Sequence, residues 1–112
     1  MDRTLEMHQA IKDFVNNKIT GKEFYDIFVF GFAGEYIVSN DREQNYIWSV
    51  NEALYYAGDE HITDIVRKDG LYTYEDCREI IKVLFNTYIN DPNITDFDEL
   101  LTNEVKRIRN KM

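Results

Sequence analysis

The stretch IKDFVNNKITGKEFYDIF, residues 11–28, decides the fold of this chain because it contains the end of one helix and the start of the next. Apolar residues recur before and within it at the spacing that lines one helix face: Met7, Ala10, Ile11, Phe14 and Val15. Thr20, with Glu23 three residues later, has the form of a capping box. We therefore predict a first helix that stops near Asn17 and a second that starts at Gly21.

The sequence after this junction predicts where the second helix ends and where a third helix lies. The second helix is predicted to end between residues 30 and 37, and its inward-facing residues are Phe24, Ile27 and Phe28. A capping pair, Asp41 and Gln44, predicts the start of the third helix, which we expect to end at Gly58 or a turn beyond. The core face of the third helix consists of Ile47, Val50, Leu54 and Ala57.

The rest of the chain predicts two more helices. Thr73 with Asp76 opens the fourth, and the only proline, Pro92, marks its end. Its inward residues are Cys77, Ile80, Ile81, Leu84 and Tyr88. A last helix opens near residues 95–96, and its inward residues are Phe97, Leu100, Leu101, Val105 and Ile108. The nearest approach to a strand pattern, residues 71–74, is short and lies against a cap signal.

Short connections between amphipathic helices favour antiparallel neighbours. We therefore predict an all-α fold, an antiparallel up-and-down helical bundle of four or five helices that forms a single domain over residues 1–112. The chain is 44% hydrophobic, which is enough for one core. No apolar run approaches the roughly 20 residues that span a bilayer, and residues 1–6 lack the features of a signal peptide. We expect a cytoplasmic protein with no membrane partner.

Negative charge is concentrated in the middle of the chain. Residues 35–76 hold ten acidic and three basic side chains, a net charge of −7 out of a total of −8. Such a concentration of negative charge favours a cationic partner. The alternative explanation is that these acids lie on a helix surface that faces only solvent. A nucleic-acid surface is disfavoured because phosphate binding requires a basic patch.

The sequence offers little support for catalysis or metal binding. His8 and His61 lie on different segments, neither beside a nucleophile motif, and we interpret His8 as a boundary residue of the core. The lone Cys77 lies at an apolar helical position and is predicted to be a core residue. The 12-residue window 41–52 begins and ends with an acid, but Tyr46 occupies the position that a calcium loop reserves for glycine. We expect a protein that is not an enzyme, with no metal and no cofactor.

Three segments resemble one family of bacterial proteins. Residues 11–28 resemble the opening of the colicin D immunity protein and its relatives: an apolar helix, a Lys-Ile-Thr junction, then Glu-Phe three residues after the threonine. NEALYYAGDEHI, residues 51–62, looks like the next helix of that family, and KDGL, residues 68–71, is similar to its Asp-Gly turn. The resemblance covers roughly residues 5–85.

Members of that family are small acidic helical bundles that neutralise a toxin, a nuclease that cuts transfer RNA in the anticodon loop, by placing carboxylates in its basic cleft. The resemblance implies toxin-facing carboxylates at Glu52, Asp59, Glu60, Asp64 and Asp69, with Glu75 and Asp76 as further candidates. Tyr55, Tyr56 and Tyr72 lie among these acids and are candidate aromatic anchors, or else half-buried core residues. The chain departs from the family pattern in the stretch 30–36 and in the extra segment 86–112, which leaves the identity of the toxin open.

The resemblance and the charge lead to one expectation. We expect an immunity protein, monomeric when free, that covers the basic active-site cleft of a cognate nuclease toxin, with a transfer RNA endonuclease as the expected class. Related immunity proteins also serve contact-dependent inhibition systems. The alternative is a helical adaptor that docks a basic protein without inhibiting it.

Overall fold

The computed structural model describes residues 4–31, 41–58 and 72–110 of the protein. The helices in these segments are α1 (Thr4–Val15), α2 (Gly21–Tyr25), α3 (Asp41–Tyr55), α4 (Tyr74–Asn90) and α5 (Phe97–Asn110). Two strands of two residues each, β1 (Ala57–Gly58) and β2 (Tyr72–Thr73), pair in parallel. The predicted all-α helical bundle is confirmed.

The junction between α1 and α2 follows the predicted capping box. The Glu23 backbone N–H donates to Thr20 Oγ1 at 3.1 Å, and the Thr20 backbone N–H donates to Glu23 Oε1 at 3.1 Å. Asn17 turns the chain between the two helices with a φ of 64°, a left-handed conformation that asparagine tolerates. Gly21 allows α2 to approach α4, because a Cβ at this position would lie 2.3 Å from the Cβ of Tyr74.

Helix α2 continues into a π-helical segment, Asp26–Gly31, and this segment corrects one prediction. Phe24 and Phe28 are buried as predicted, but Ile27 is 40% exposed. A π-helix spaces its hydrogen bonds five residues apart instead of four. The spacing of the side chains that face the core therefore changes where this segment begins. A pattern based on 3.6 residues per turn predicts that Ile27 faces the core, and this prediction is wrong.

The end of α3 is a second correction. The helix ends at Tyr55, before the predicted Gly58, because Ala57 and Gly58 pair with the two residues that precede α4. The Tyr72 backbone N–H also donates to the carbonyl of Tyr56 at 3.3 Å. This short parallel ladder joins the end of α3 to the start of α4.

Helices α4 and α5 begin where their caps predict. Thr73 Oγ1 accepts from the Asp76 backbone N–H at 3.1 Å, and Asp96 Oδ1 accepts from the Glu99 backbone N–H at 3.0 Å. Helix α4 ends at Asn90, two residues before Pro92. The most completely buried side chains of the core are Met7, Ile11, Phe14, Phe24, Tyr46, Ile47, Val50, Leu54, Ile80, Ile81, Leu84 and Phe97.

Side-chain contacts at both ends of α4 show in which direction the neighbouring helices run relative to it. Near the start of α4, Arg78 donates to the carbonyl of Phe14, at the end of α1. Near its other end, the Tyr88 ring stacks on His8, close to the start of α1. Helix α4 is likewise antiparallel to α3, since Arg42 at the start of α3 donates to the Tyr88 carbonyl. This alternation agrees with the predicted up-and-down order.

Candidate functional site

The structure describes six of the ten predicted toxin-binding residues. Glu52, Tyr55, Tyr56 and Glu75 are exposed, Asp76 is half-buried and Tyr72 is buried. The other four, Asp59, Glu60, Asp64 and Asp69, lie outside the described residues, as does His61.

One face of α3 combines aromatic and acidic side chains at its surface. Trp48, Glu52 and Tyr55 follow one another at spacings of four and three residues, so they are neighbours on the helix surface. Trp48 is 55% exposed and Tyr55 is 72% exposed. We call these three residues the α3 outer face. Sequence reasoning missed Trp48, although the only tryptophan of the chain, four residues before a predicted site glutamate, is a usable signal.

The charged residue of the α3 outer face is an acid that forms no ion pair with any residue that the structure describes. The exposed charged residues of α3 are Asp41 and Glu52, both acidic. Among the residues that the structure describes, no cation lies within ion-pair distance of Glu52. The basic residue of this helix, Arg42, is committed elsewhere: its guanidinium donates to the carbonyls of Tyr88 at 2.9 Å and Asp91 at 3.0 Å.

The strand pair places a second acid at the same end of the bundle. Because β1 follows α3 and β2 precedes α4, the first turn of α4 lies beside the last turn of α3. This turn contains Glu75, whose side chain is 78% exposed and forms an ion pair with Arg78. Part of the charge of Glu75 is therefore balanced within the molecule.

Tyr72 is a correction to the predicted set of partner-facing residues. Its side chain is only 2% exposed, and its hydroxyl donates a hydrogen bond to the carbonyl of Ala53. Burial raises the pKa of the Tyr72 phenol well above the usual value for tyrosine, and the proximity of Cys77 and Glu52 adds to this effect. Tyr72 anchors the β2 strand to α3 and has almost no surface left for a partner.

A cleft of about 890 Å³ lies between the α1–α2 junction and the start of α4. Its charged lining residues carry both signs: Lys18, Lys22, Glu23, Asp26, Glu75 and Arg78. Arg78 is occupied by structural contacts, because its Nε donates to the Phe14 carbonyl at 3.0 Å and its guanidinium lies 4.7 Å above the Phe14 ring. The contacts of Arg78 therefore join α4 to α1. Because the lining residues carry both signs of charge, the cleft has no clear preference for cations or anions.

Glu43, one of the ten acidic residues in the middle of the chain, is buried and does not contribute to the negative charge of the surface. Its Oε2 lies 3.0 Å from His8 Nε2 and accepts from the Tyr88 hydroxyl at 3.3 Å. The His8 ring also stacks on Tyr46, at 5.9 Å between ring centroids. His8 is half-buried, as a boundary residue should be. Burial and the neighbouring Glu43 carboxylate raise the pKa of Tyr88.

The described residues contain no group of three or more His, Cys, Asp or Glu side chains that could hold a metal ion. Cys77 is buried, as predicted, and its Sγ donates to the carbonyl of Ala53 at 3.6 Å. Burial raises the pKa of this thiol, so the reactive thiolate is disfavoured.

Comparisons of the chain with protein-family models, with curated proteins and with solved structures find no match. None of the helices that the structure describes has both the length and the apolar composition needed to cross a membrane.

Proposed function

We propose that this protein is an immunity protein that binds a cognate nuclease toxin in the cytoplasm and covers the toxin's basic active-site cleft. The observation that carries the proposal is the α3 outer face, where an exposed glutamate with no ion-pair partner among the described residues lies between two exposed aromatic rings. Interfaces draw most of their affinity from aromatic anchors, and uncompensated acids favour a positively charged partner.

Inhibition in this proposal requires no chemistry from the protein. A nuclease that cuts transfer RNA holds phosphates with lysine and arginine side chains, so a rigid surface with negative charge competes for the same groups. Glu52 and Glu75 lie at one end of the bundle. The proposed surface extends along the chain to Asp59, Glu60, Asp64 and Asp69.

A neutralisation assay tests the proposal. The purified protein is mixed with the C-terminal domain of the toxin encoded by the neighbouring gene, and cleavage of transfer RNA is followed at increasing ratios of the two. We expect cleavage to stop near one protein per toxin. The variant Glu52→Lys should slow association and make it less sensitive to salt, because exposed charges act mainly on the association rate.

Glu99→Lys is the matched control, since Glu99 is an exposed glutamate on a different helix, α5. It applies the same change in net charge and should leave association close to that of the wild type. A wild-type protein that binds the toxin domain while cleavage continues would favour the non-inhibitory adaptor. Absence of binding would contradict both functions.

A further inference from the structure

We propose that the α3 outer face recognises an arginine side chain of the partner, with Trp48 as the residue that contributes most to affinity. The inference rests on the proposed function, because it names the chemical group that the toxin presents to this surface. Glu52 supplies a carboxylate for the guanidinium, and the rings of Trp48 and Tyr55 supply stacking surfaces on either side.

The spacing of the three residues suits one guanidinium. An α-helix rises 1.5 Å per residue, so Trp48 and Tyr55 are separated by about 10 Å along the helix axis, with Glu52 between them. A guanidinium paired with Glu52 is therefore within reach of a ring on either side. Among the described residues, Trp48 has no ring or cation partner, and the Tyr55 ring contacts only Tyr56, edge to face at 5.5 Å between centroids.

The protein's own arginines show that its aromatic rings accept guanidinium groups in this way. The Arg42 guanidinium lies 4.6 Å from the centroid of the Tyr88 ring, and the Arg78 guanidinium lies 4.7 Å from that of Phe14. Each group also donates hydrogen bonds to carbonyl oxygens beside the ring. The α3 outer face offers the same combination of ring and oxygen acceptor, exposed to solvent and with no guanidinium from the described part of the chain.

Arginine fits this surface better than lysine. The planar guanidinium forms two parallel hydrogen bonds to a carboxylate while its face stays available for stacking, whereas an ammonium is a compact and strongly hydrated charge. A cation over an exposed ring contributes a factor of roughly two to five in affinity. A partner segment with an arginine at its tip should therefore bind more tightly than the same segment with lysine.

Trp48 provides the direct measurement because it is the only tryptophan of the chain. Its fluorescence is recorded while the protein is titrated with three blocked peptides that differ at one position, with arginine, lysine or the uncharged isostere citrulline. We expect the arginine peptide to change the fluorescence and to bind at least roughly two- to fivefold more tightly than the uncharged citrulline peptide, with lysine between them. Equal affinities for arginine and citrulline would overturn the proposal.

Variants assign the binding to the named residues. Glu52→Gln keeps the shape of the side chain and removes its charge, so it should reduce the preference for arginine over citrulline to the part that the rings of Trp48 and Tyr55 provide. Glu99→Gln makes the same change on an exposed part of α5 and should leave the preference intact. If both variants behave alike, net charge explains the binding and the α3 outer face does not.

The neutralisation assay separates this inference from the proposed function. Trp48→Ala should weaken toxin binding roughly tenfold or more, as expected for a central aromatic anchor, and Trp48→Phe should recover part of the loss. Ile89→Ala, an exposed apolar residue on α4, is the control and should bind as the wild type does. If Trp48→Ala inhibits as well as the wild type, the function stands and the arginine site is wrong. If the wild type does not inhibit while its Trp48 fluorescence still selects the arginine peptide, the site stands and the immunity function is wrong.

Discussion

Helix α3 carries two glutamates in opposite surroundings. Glu43, in its first turn, is buried and contacts His8 and Tyr88. Glu52, near its end, is exposed and has no cation within ion-pair distance among the described residues. Both belong to the acid-rich middle of the chain, so net charge alone gives them the same role. The structure shows that Glu43 is part of the core, and that only Glu52 is available to a partner.

The same contrast holds for the tyrosines of this helix. Tyr46 is buried, and its ring stacks on Tyr88 at 4.2 Å between centroids. Tyr55 is exposed at the other end of the helix. A change on the buried side of α3 should therefore lower the free energy of unfolding, and a change on the exposed side should affect binding alone.

The largest effect should come from Glu43→Ala. The substitution leaves the His8 ring and the Tyr88 hydroxyl without their carboxylate, and hydrogen bonds to charged groups contribute about 1.5 to 3 kcal/mol each. Water can reach half-buried His8 in part, so we expect the free energy of unfolding to fall by about 2 kcal/mol. Urea unfolding followed by far-UV circular dichroism measures it.

Glu52→Ala is the matched variant for this experiment. It removes the same side chain from an exposed position of the same helix and should change the free energy of unfolding by less than about 0.5 kcal/mol. Equal losses in the two variants would contradict the division of α3 into a structural and a binding side. Glu43→Gln, which keeps hydrogen-bonding capacity without the charge, should lie between Glu43→Ala and the wild type.

High pH should expose the difference between Tyr46 and Tyr55. Burial, with a further contribution from Tyr88, raises the pKa of Tyr46 well above the usual value for tyrosine. In the unfolded chain this phenol ionises near pH 10, while in the folded protein it stays protonated. The contribution of this phenol to the free energy of unfolding is therefore complete below about pH 10. Above that pH it decreases by about 1.4 kcal/mol per pH unit.

Tyr46→Phe should remove this contribution to the fall in the free energy of unfolding with pH, measured between pH 9 and 11. Tyr55→Phe, at an exposed position, should keep the wild-type slope. At neutral pH, Tyr46→Phe should change stability by less than about 1 kcal/mol, because the Tyr46 hydroxyl is buried with no hydrogen-bond partner among the described residues. A large loss at neutral pH would mean that this hydroxyl has a partner after all.

The parts of the fold that were predicted correctly depend on local signals. Thr20 and Thr73 accept hydrogen bonds from backbone groups three residues away, so a short window of sequence contains the whole interaction. The apolar spacing of α1 and α4 likewise identified their buried faces. These signals were sufficient for the helix starts and the bundle.

The errors come from interactions between distant parts of the chain. Ala57 joins a strand because Tyr72 lies opposite it. Ala57 has no strand pattern of its own, and the pattern at residues 71–74 is too short to predict a strand. Glu43 is buried because His8 and Tyr88 come from two other helices. Periodicity assigns a helical residue to a face, but it does not show which polar residues find partners across the core, and so it could not separate Glu43 from Glu52.

Arg42→Lys should lower stability less than Glu43→Ala does, and it completes the description of the structural side of α3. The Arg42 guanidinium donates to three carbonyls, those of Tyr88, Asp91 and Ile94, at 2.7 to 3.0 Å. A lysine cannot match this fork, so we expect a loss of about 1 kcal/mol and faster hydrogen exchange at the Ile94 amide, which donates to the Asp91 carbonyl. Arg107→Lys, whose arginine pairs with Glu104 within α5, should change stability by less than about 0.5 kcal/mol. If Arg42→Lys instead altered toxin binding at unchanged stability, the start of α3 would belong to the interface, and the boundary between its two sides would have to move.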